Sequence, residues 1–411
     1  MSRSASRIIL AALAAVCFRP ISAFGTEAAY NLAATFDPIK AQLAAGNEQS
    51  IMMIGDSLTF RTDSYLFTFE SLMQNAYGNA GVGYQGFSNM TGGGSFTGGG
   101  GFDNGWSLGQ IDGDSSPHQS LDGLWAAYTP GAAAPNDSYL TTGNATGQLQ
   151  YVMQQGGGSF NLYAWGNTAG QTLLATINTS TNSATPTVGT YNYALPAGDY
   201  DLHVVPNNDG SLNLLGVENK SGASGGVRID RAANGGWGVA NFLQRNSTFD
   251  TQVKLENPAL VTIWLGQNDR GNYTESQYSA AIGQLVSRIQ GDMPSSKILL
   301  IGTYNSGDPN LVPLVQGMDD VAHADNIGFL NMYADAGTYQ FFQSNNYLAP
   351  DGVHFDAAGG QYVGNLLFNT FQTDGANLVP EPAGLALFSP CVLLLLLSRS
   401  RRSRSGRTPS S

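Results

Sequence analysis

Four apolar residues in succession, Ile51-Met52-Met53-Ile54, run straight into Gly55-Asp56-Ser57. An unbroken apolar run of this length is what a strand covered on both faces requires, as in a parallel α/β sheet. Gly55 permits tight backbone geometry where the run stops. Helical spacing follows at Leu66, Phe69, Leu72, Met73, Ala76 and Tyr77, with Gly78 placed to end it. Ser57 therefore falls at the carboxyl end of a strand, just ahead of a helix. In open α/β sheets that rim binds ligands. Taken alone, such a serine serves equally well as a helix cap.

The same grammar returns after residue 225. Residues 260–265 read as a second buried strand, ending in Gly266-Gln267-Asn268-Asp269. Thr274-Glu275-Ser276-Gln277 is a capping box. It opens a helix with Tyr278, Ala281, Ile282, Leu285, Val286 and Ile289 on one face. Residues 297–301 and 328–332 read as further strands. Pro350-Asp351-Gly352-Val353-His354-Phe355-Asp356 is a loop, and a last helix runs to about Phe371. With a short helix over 30–43, this alternation predicts a parallel sheet with helices on both faces.

Between these halves the pattern changes. Residues 91–101 are nearly all Gly, Ser, Thr and Phe. Short β-type runs follow at 148–153, 160–165, 172–177, 187–193 and 200–205, and Asn207-Asn208-Asp209-Gly210 is a turn signal. Short strands at this spacing predict an inserted β-sandwich over 90–225, either a carbohydrate-binding module or a structural lid. Gly81-Val82-Gly83-Tyr84 reads as a tight connection just before it. Asp112-Gly113-Asp114 is a weak calcium candidate.

The two ends have a different character. Arg3 and Arg7 precede an apolar run over 8–18, then small residues at Ser22, Ala23 and Gly25, the layout of a signal peptide over 1–25. Near the other end, Pro380-Glu381-Pro382 leads into an apolar stretch over 383–397 and an arginine cluster from Arg399 to Arg407. This span is short for a membrane helix. Residues 379–411 resemble a PEP-CTERM sorting signal. That resemblance implies export, removal of the tail by a sorting protease, only transient membrane contact, and delivery to the cell envelope, surface or extracellular matrix.

Both cysteines, Cys17 and Cys391, lie in these end segments, so cysteine chemistry and disulfides are not expected in the body. The ends also hold eight of the 18 basic residues but one of the 30 acidic ones, leaving the body near −19. A nucleic-acid partner is not expected of such a body. Heavily anionic polymers are also disfavoured as substrates.

The four histidines are not equivalent. His118, His203 and His323 fall in the Gly-rich region, the sandwich and a helical run. His354 follows Asp351 by three residues on a glycine-containing loop. A carboxylate so placed orients an imidazole and stabilises its charged form, as a general base beside a serine requires. Ser57, Asn268 and the Asp351/His354 loop all fall on one predicted rim. A tetrahedral oxyanion needs donors. The Ser57 N–H, the Asn268 side chain and the glycine turn Gly235-Gly236-Trp237-Gly238 supply candidates. Gly222-Ala223-Ser224-Gly225-Gly226 matches the G-x-S-x-G elbow, but no buried strand leads into it and no helix follows; it reads as a flexible turn.

Together, Gly55-Asp56-Ser57-Leu58, Gly238, Gly266-Gln267-Asn268-Asp269 and Asp351-Gly352-Val353-His354 resemble the blocks of the SGNH (GDSL) hydrolase family. The resemblance covers roughly 45–90 and 226–372. It implies a flavodoxin-like three-layer α/β/α sandwich split as 26–89 and 226–372, with Ser57 as nucleophile, His354 as base, Asp351 behind it, and Gly238 and Asn268 completing the oxyanion hole. The long insert resembles the subgroup that contains peptidoglycan and polysaccharide O-acetylesterases. The expected substrate is an acetylated carbohydrate, deacylated without metal or other cofactor. A lipase, thioesterase or acyltransferase of the same fold, or a glycan-binding surface protein, are the alternatives. Neither the polymer nor the oligomeric state is legible in the sequence.

Overall fold

The computed structural model describes residues 27–61, 64–86, 100–110, 120–133, 138–141, 146–166, 170–195, 200–245, 247–376 and 378. The signal-peptide and sorting-tail readings, both cysteines, the 112–114 calcium candidate and His118 lie outside these residues.

A six-stranded sheet carries the order Ala29–Tyr30, Gly328–Asn331, Lys297–Gly302, Leu260–Trp264, Glu48–Gly55, Gly226–Ala233. All neighbours are parallel except Ala29–Tyr30, which runs antiparallel to Gly328–Asn331. The apolar run at 51–54 explains the layers. Side chains alternate across a strand. Ile51 and Met53 enter a core formed with helices Leu32–Ala44, Tyr65–Tyr77 and Ala357–Thr373. Met52 and Ile54 enter a second core with helices Glu275–Asp292 and Val312–Asp325. Each such side chain contributes about 1.5–3 kcal/mol on burial, and the strand's buried polar residue, Ser50, is hydrogen-bonded to Asp230. The architecture is the expected three-layer α/β/α sandwich.

Local signals are realised in detail. Gly78 caps its helix at φ 100°. The Thr274 N–H donates to Gln277 Oε1 at 2.9 Å, and the Gln277 N–H returns to Thr274 Oγ1 at 3.4 Å. Asn208 takes φ 65° in the turn after strand Tyr200–Pro206. Gly222, Ala223 and Ser224 are exposed between two buried strands, Leu212–Lys220 and Gly226–Ala233, so a buried strand does lead into the G-x-S-x-G stretch, but a strand rather than a helix follows it.

The insert forms two antiparallel sheets. Five strands follow the order Gly170–Asn178, Ser159–Gly166, Tyr200–Pro206, Ser138–Thr141, Gly100–Phe102. Six are ordered Thr187–Ala194, Thr146–Met153, Leu212–Lys220, Leu124–Tyr128, Trp106–Gln110, with Gly83–Gly86 joining at Leu212–Lys220. Inward residues Phe160, Leu162, Leu202 and Val204 of the first sheet pack against Leu149, Tyr151, Leu212 and Leu214 of the second.

Two expectations are corrected. Gly83–Gly86 is a strand, not merely a tight connection, so the second sheet begins before residue 90. Gly226–Ala233 is a fully buried edge strand beside Glu48–Gly55 that periodicity did not reveal. No helix of the described residues is long and apolar enough to cross a membrane.

Candidate active site

Strand Glu48–Gly55 delivers Ser57 to the first position of a one-turn helix, Ser57–Phe60. Asp56 caps that helix, its Oδ1 accepting the Leu58 N–H at 2.9 Å. Asp56 is completely buried and its Oδ2 has no hydrogen-bond partner. Burial pushes its carboxyl up to about 7. Gly55 is needed for room rather than for an unusual φ, since a Cβ there would meet Thr59 at 2.6 Å from its Cβ. Thr59 is itself buried and bonded to the Tyr65 hydroxyl at 2.9 Å.

The Asp351/His354 loop arrives from the far end of the chain. His354 Nε2 lies 2.7 Å from Ser57 Oγ, and His354 Nδ1 lies 2.7 Å from Asp351 Oδ2. Asp351 Oδ1 accepts the Val353 and His354 main-chain N–H groups, each at 2.9 Å. Burial acts to raise the Asp351 pKa, but the two N–H donors and the imidazole outweigh it and hold the carboxyl well below the usual range. The loop is pinned from beneath. The Tyr304 hydroxyl donates to the Val353 carbonyl, and the Tyr304 ring packs against Phe342 and Phe355.

The oxyanion candidates show a more mixed picture. Asn268 follows strand Leu260–Trp264 and donates Nδ2 to the Trp237 carbonyl at 2.9 Å, leaving its second N–H for another acceptor. Gly238 caps helix Val239–Leu243, as the glycine turn implied. Its N–H, however, donates to Asn241 Oδ1 at 2.9 Å. A Cβ at Gly238 would collide with the Asp269 carboxylate. The Ser57 N–H, in the first turn of its helix, has no carbonyl one turn earlier to bond.

Three residues that sequence reasoning did not single out organise this rim. Asp269 accepts the Val239 N–H at 3.0 Å, and burial raises its pKa to about 6. With the Asn268–Trp237 bond it ties the turn at 237–239 to the end of strand Leu260–Trp264. Asn241 occupies the Gly238 amide. Tyr304 holds the His354 loop. Spacing offered a signal for Asn241 alone, because Gly-x-x-Asn has the three-residue offset of a reciprocal cap.

The structure thus brings Ser57, His354 and Asp351 into one hydrogen-bonded relay and sets Asn268 and Gly238 on adjoining turns. A serine, an imidazole and a carboxylate in this order are the parts of nucleophilic acyl transfer. Among the described residues, no group of His, Cys, Asp or Glu is arranged to hold a metal ion.

Residues 213–362 match the GDSL-like lipase/acylhydrolase family, a span that includes Gly238, Asn268, Asp351 and His354 but not Ser57. The fold is similar to that of a peptidoglycan O-acetylesterase, with a TM-score of 0.67 at 17% identity over 84% of this chain and 97% of that one. A family two carbohydrate esterase from Clostridium thermocellum aligns at a TM-score of 0.30 and 12% identity, over 65% of this chain and 99% of that one. A lipase/acylhydrolase from Enterococcus faecalis aligns at 0.30 and 21% identity, over 38% and 80%. No curated protein sequence matches the chain. Residues 213–362 are thus similar to the GDSL-like lipase/acylhydrolase family, and with the Ser57–His354–Asp351 relay in this fold the chain is a carboxylic ester hydrolase.

Proposed function

We propose that the chain is an exported serine esterase that removes acetyl or another short acyl group from carbohydrate. The observation that carries the catalytic part is the relay from Ser57 Oγ through His354 to Asp351, with both links at 2.7 Å. Ser57 Oγ attacks the ester carbonyl as His354 Nε2 takes its proton. Asp351 accepts the Nδ1–H and stabilises the imidazolium. The Ser57 N–H and the second Asn268 N–H hold the oxyanion. Gly238 joins them when the Asn241 side chain turns away from its amide. His354 then protonates the departing sugar oxygen. Water, deprotonated by His354, attacks the acyl-serine, and collapse releases the acid and restores Ser57.

The carbohydrate part of the reading is supported by likeness to the peptidoglycan O-acetylesterase fold and by the sandwich inserted into the hydrolase body. Export is supported by the two terminal sequence patterns. The test is acetate release from a panel of acetylated polysaccharides, together with hydrolysis of p-nitrophenyl esters of increasing chain length. Wild-type protein should favour acetyl over long acyl chains, and Ser57→Ala should lose at least 10³-fold in kcat while remaining folded. Full activity in Ser57→Ala would overturn the assignment of the nucleophile. A preference for long chains would overturn the substrate class.

A further inference from the structure

We infer that the outer face of the five-stranded sheet is a second, non-catalytic glycan-binding platform centred on Trp165. Only three large hydrophobic side chains among the described residues are exposed, Trp165 at 44%, Leu173 at 53% and Val312 at 42%. Two of them, Trp165 and Leu173, share one sheet face. Pairing fixes that face. Phe160, Leu162 and Ala164 of strand Ser159–Gly166 point into the sandwich core or its margin, so Asn161, Tyr163 and Trp165 point outward. Tyr163 lies opposite His203 on one side and Leu173 on the other, and Trp165 lies opposite Asp201. One aromatic row therefore crosses adjacent strands.

The row is built rather than incidental. The Trp165 indole stacks on the His203 ring at 4.0 Å and 27°, which fixes its orientation while nearly half the residue stays exposed. Beyond Tyr163 on the same face, about 13 Å along the strand from Trp165, runs a polar ladder. Thr176 Oγ1 donates to Asn161 Oδ1 at 2.7 Å, and Asn161 Nδ2 donates to Asn207 Oδ1 at 2.9 Å. A held indole, with hydroxyl and amide groups further along the same face, suits a chain of flat rings that are apolar on their faces and rich in hydroxyls at their edges, which are pyranose rings. Charge narrows the class. The ionisable groups on these two central strands are Asp201, which faces outward, and His203, which stacks with Trp165, so the face offers no Lys or Arg to an anionic polymer. The occupant is a neutral glycan chain.

The sandwich's other sheet lies between this face and the hydrolase body, where Gln150 bonds Glu256 at 2.6 Å and Gln252 at 2.8 Å. The platform is therefore remote from Ser57. It anchors the enzyme on its polymer while the triad works elsewhere. The inference rests on the proposal that the substrate is carbohydrate.

The test is co-sedimentation of full-length protein with insoluble acetylated xylan and with chitin, and affinity electrophoresis through the same glycans, in parallel with p-nitrophenyl acetate hydrolysis. Trp165→Ala should weaken retention at least tenfold and leave kcat/KM on the small ester within twofold. Tyr163→Ala should weaken retention less. Equal retention of wild type and Trp165→Ala, retention only on an anionic glycan such as polygalacturonate, or no retention on any glycan would overturn the platform. Retention that depends on Trp165 in a protein without esterase turnover would uphold the platform and overturn the proposed catalysis.

Discussion

Replacing Asp351 by Asn separates what the carboxylate does for the loop from what it does for the imidazole. Oδ1 accepts two main-chain N–H groups and Oδ2 faces His354 Nδ1. In the Asn variant the carbonyl oxygen stays with the two N–H donors, because the reverse orientation would set an NH2 against both. The NH2 then faces Nδ1. That forces Nδ1 to accept and places the ring proton on Nε2, which faces Ser57 and blocks proton transfer from it. Turning the amide over to rescue the tautomer forfeits two hydrogen bonds, roughly 2–3 kcal/mol, or about 10²-fold in the competent population. Loss of the charge opposite the imidazolium adds about tenfold. Asp351→Asn should therefore lower kcat about 10³-fold with little change in thermal stability.

Asp351→Ala forces no tautomer, and its site is open enough for water to enter, since the native side chain is 46% exposed. It should lose only about 10–30-fold in kcat while weakening the loop by about 1–2 kcal/mol. Activity and stability should thus rank the two variants in opposite orders. The assay is p-nitrophenyl acetate turnover from pH 6 to 9, with melting followed by circular dichroism. An Asn variant at least as active as the Ala variant would refute the reasoning.

Two more perturbations probe the scaffold. Burial raises the Glu70 carboxyl to about 8, so the folded chain holds that proton after the unfolded chain has released it. Stability from this group is therefore greatest at low pH and falls as pH rises from the ordinary carboxylate range to about 8. Glu70→Gln keeps an acceptor for the Gln74 amide at 3.1 Å, and its advantage over wild type should grow by on the order of 3 kcal/mol between pH 5 and pH 8. Urea titrations at the two pH values giving the same difference would contradict this. Gly55→Ala drives a methyl group into Thr59 and should lower stability by about 1–3 kcal/mol, with a loss of kcat because Ser57 lies two residues on. An unchanged Tm would show that the strand end yields without strain.

What could be read from the sequence was whatever rests on local pattern. Ile51 to Ile54 announced a doubly covered strand because consecutive residues do enter opposite cores. The five sandwich runs were legible because one face of each strand is apolar. Strand Gly226–Ala233 was hidden because its buried positions include Arg228, Asp230 and Arg231. Most of their partners are remote in sequence. Arg228 meets Glu48 at 3.0 Å and Glu218 at 2.8 Å, Asp230 accepts the Tyr84 N–H at 2.8 Å, and Arg231 bonds the Phe60 carbonyl at 2.9 Å. No periodicity argument recovers a strand whose charges are satisfied this way. Gly83 reads as turn chemistry, and its φ of 72° bears that out, but a second reason for glycine is hidden from the sequence, since a Cβ would strike the Ile229 backbone. The Asp351/His354 pair was visible because its two members are three residues apart. The Asn241 hold on Gly238 is announced only by the Gly-x-x-Asn offset, and a glycine amide at a helix start serves equally well as a donor to ligand.

The Ser57–His354 hydrogen bond joins residues 297 positions apart. Asn79 and Val227 form a bridge at the neck of the insert, and the chain between them is about half of that separation. Closing a loop twice as long costs only about 0.6 kcal/mol in chain entropy. A whole sandwich can therefore lie between nucleophile and base at almost no thermodynamic penalty. The burden is kinetic instead. Pairing Gly83–Gly86 with Leu212–Lys220 is a distant contact of the kind that slows folding. Once that pairing forms, it draws the neck together and shortens the loop that the triad has left to close. The insert then serves the hydrolase body as a preassembled hairpin, and catalytic competence follows completion of the sandwich.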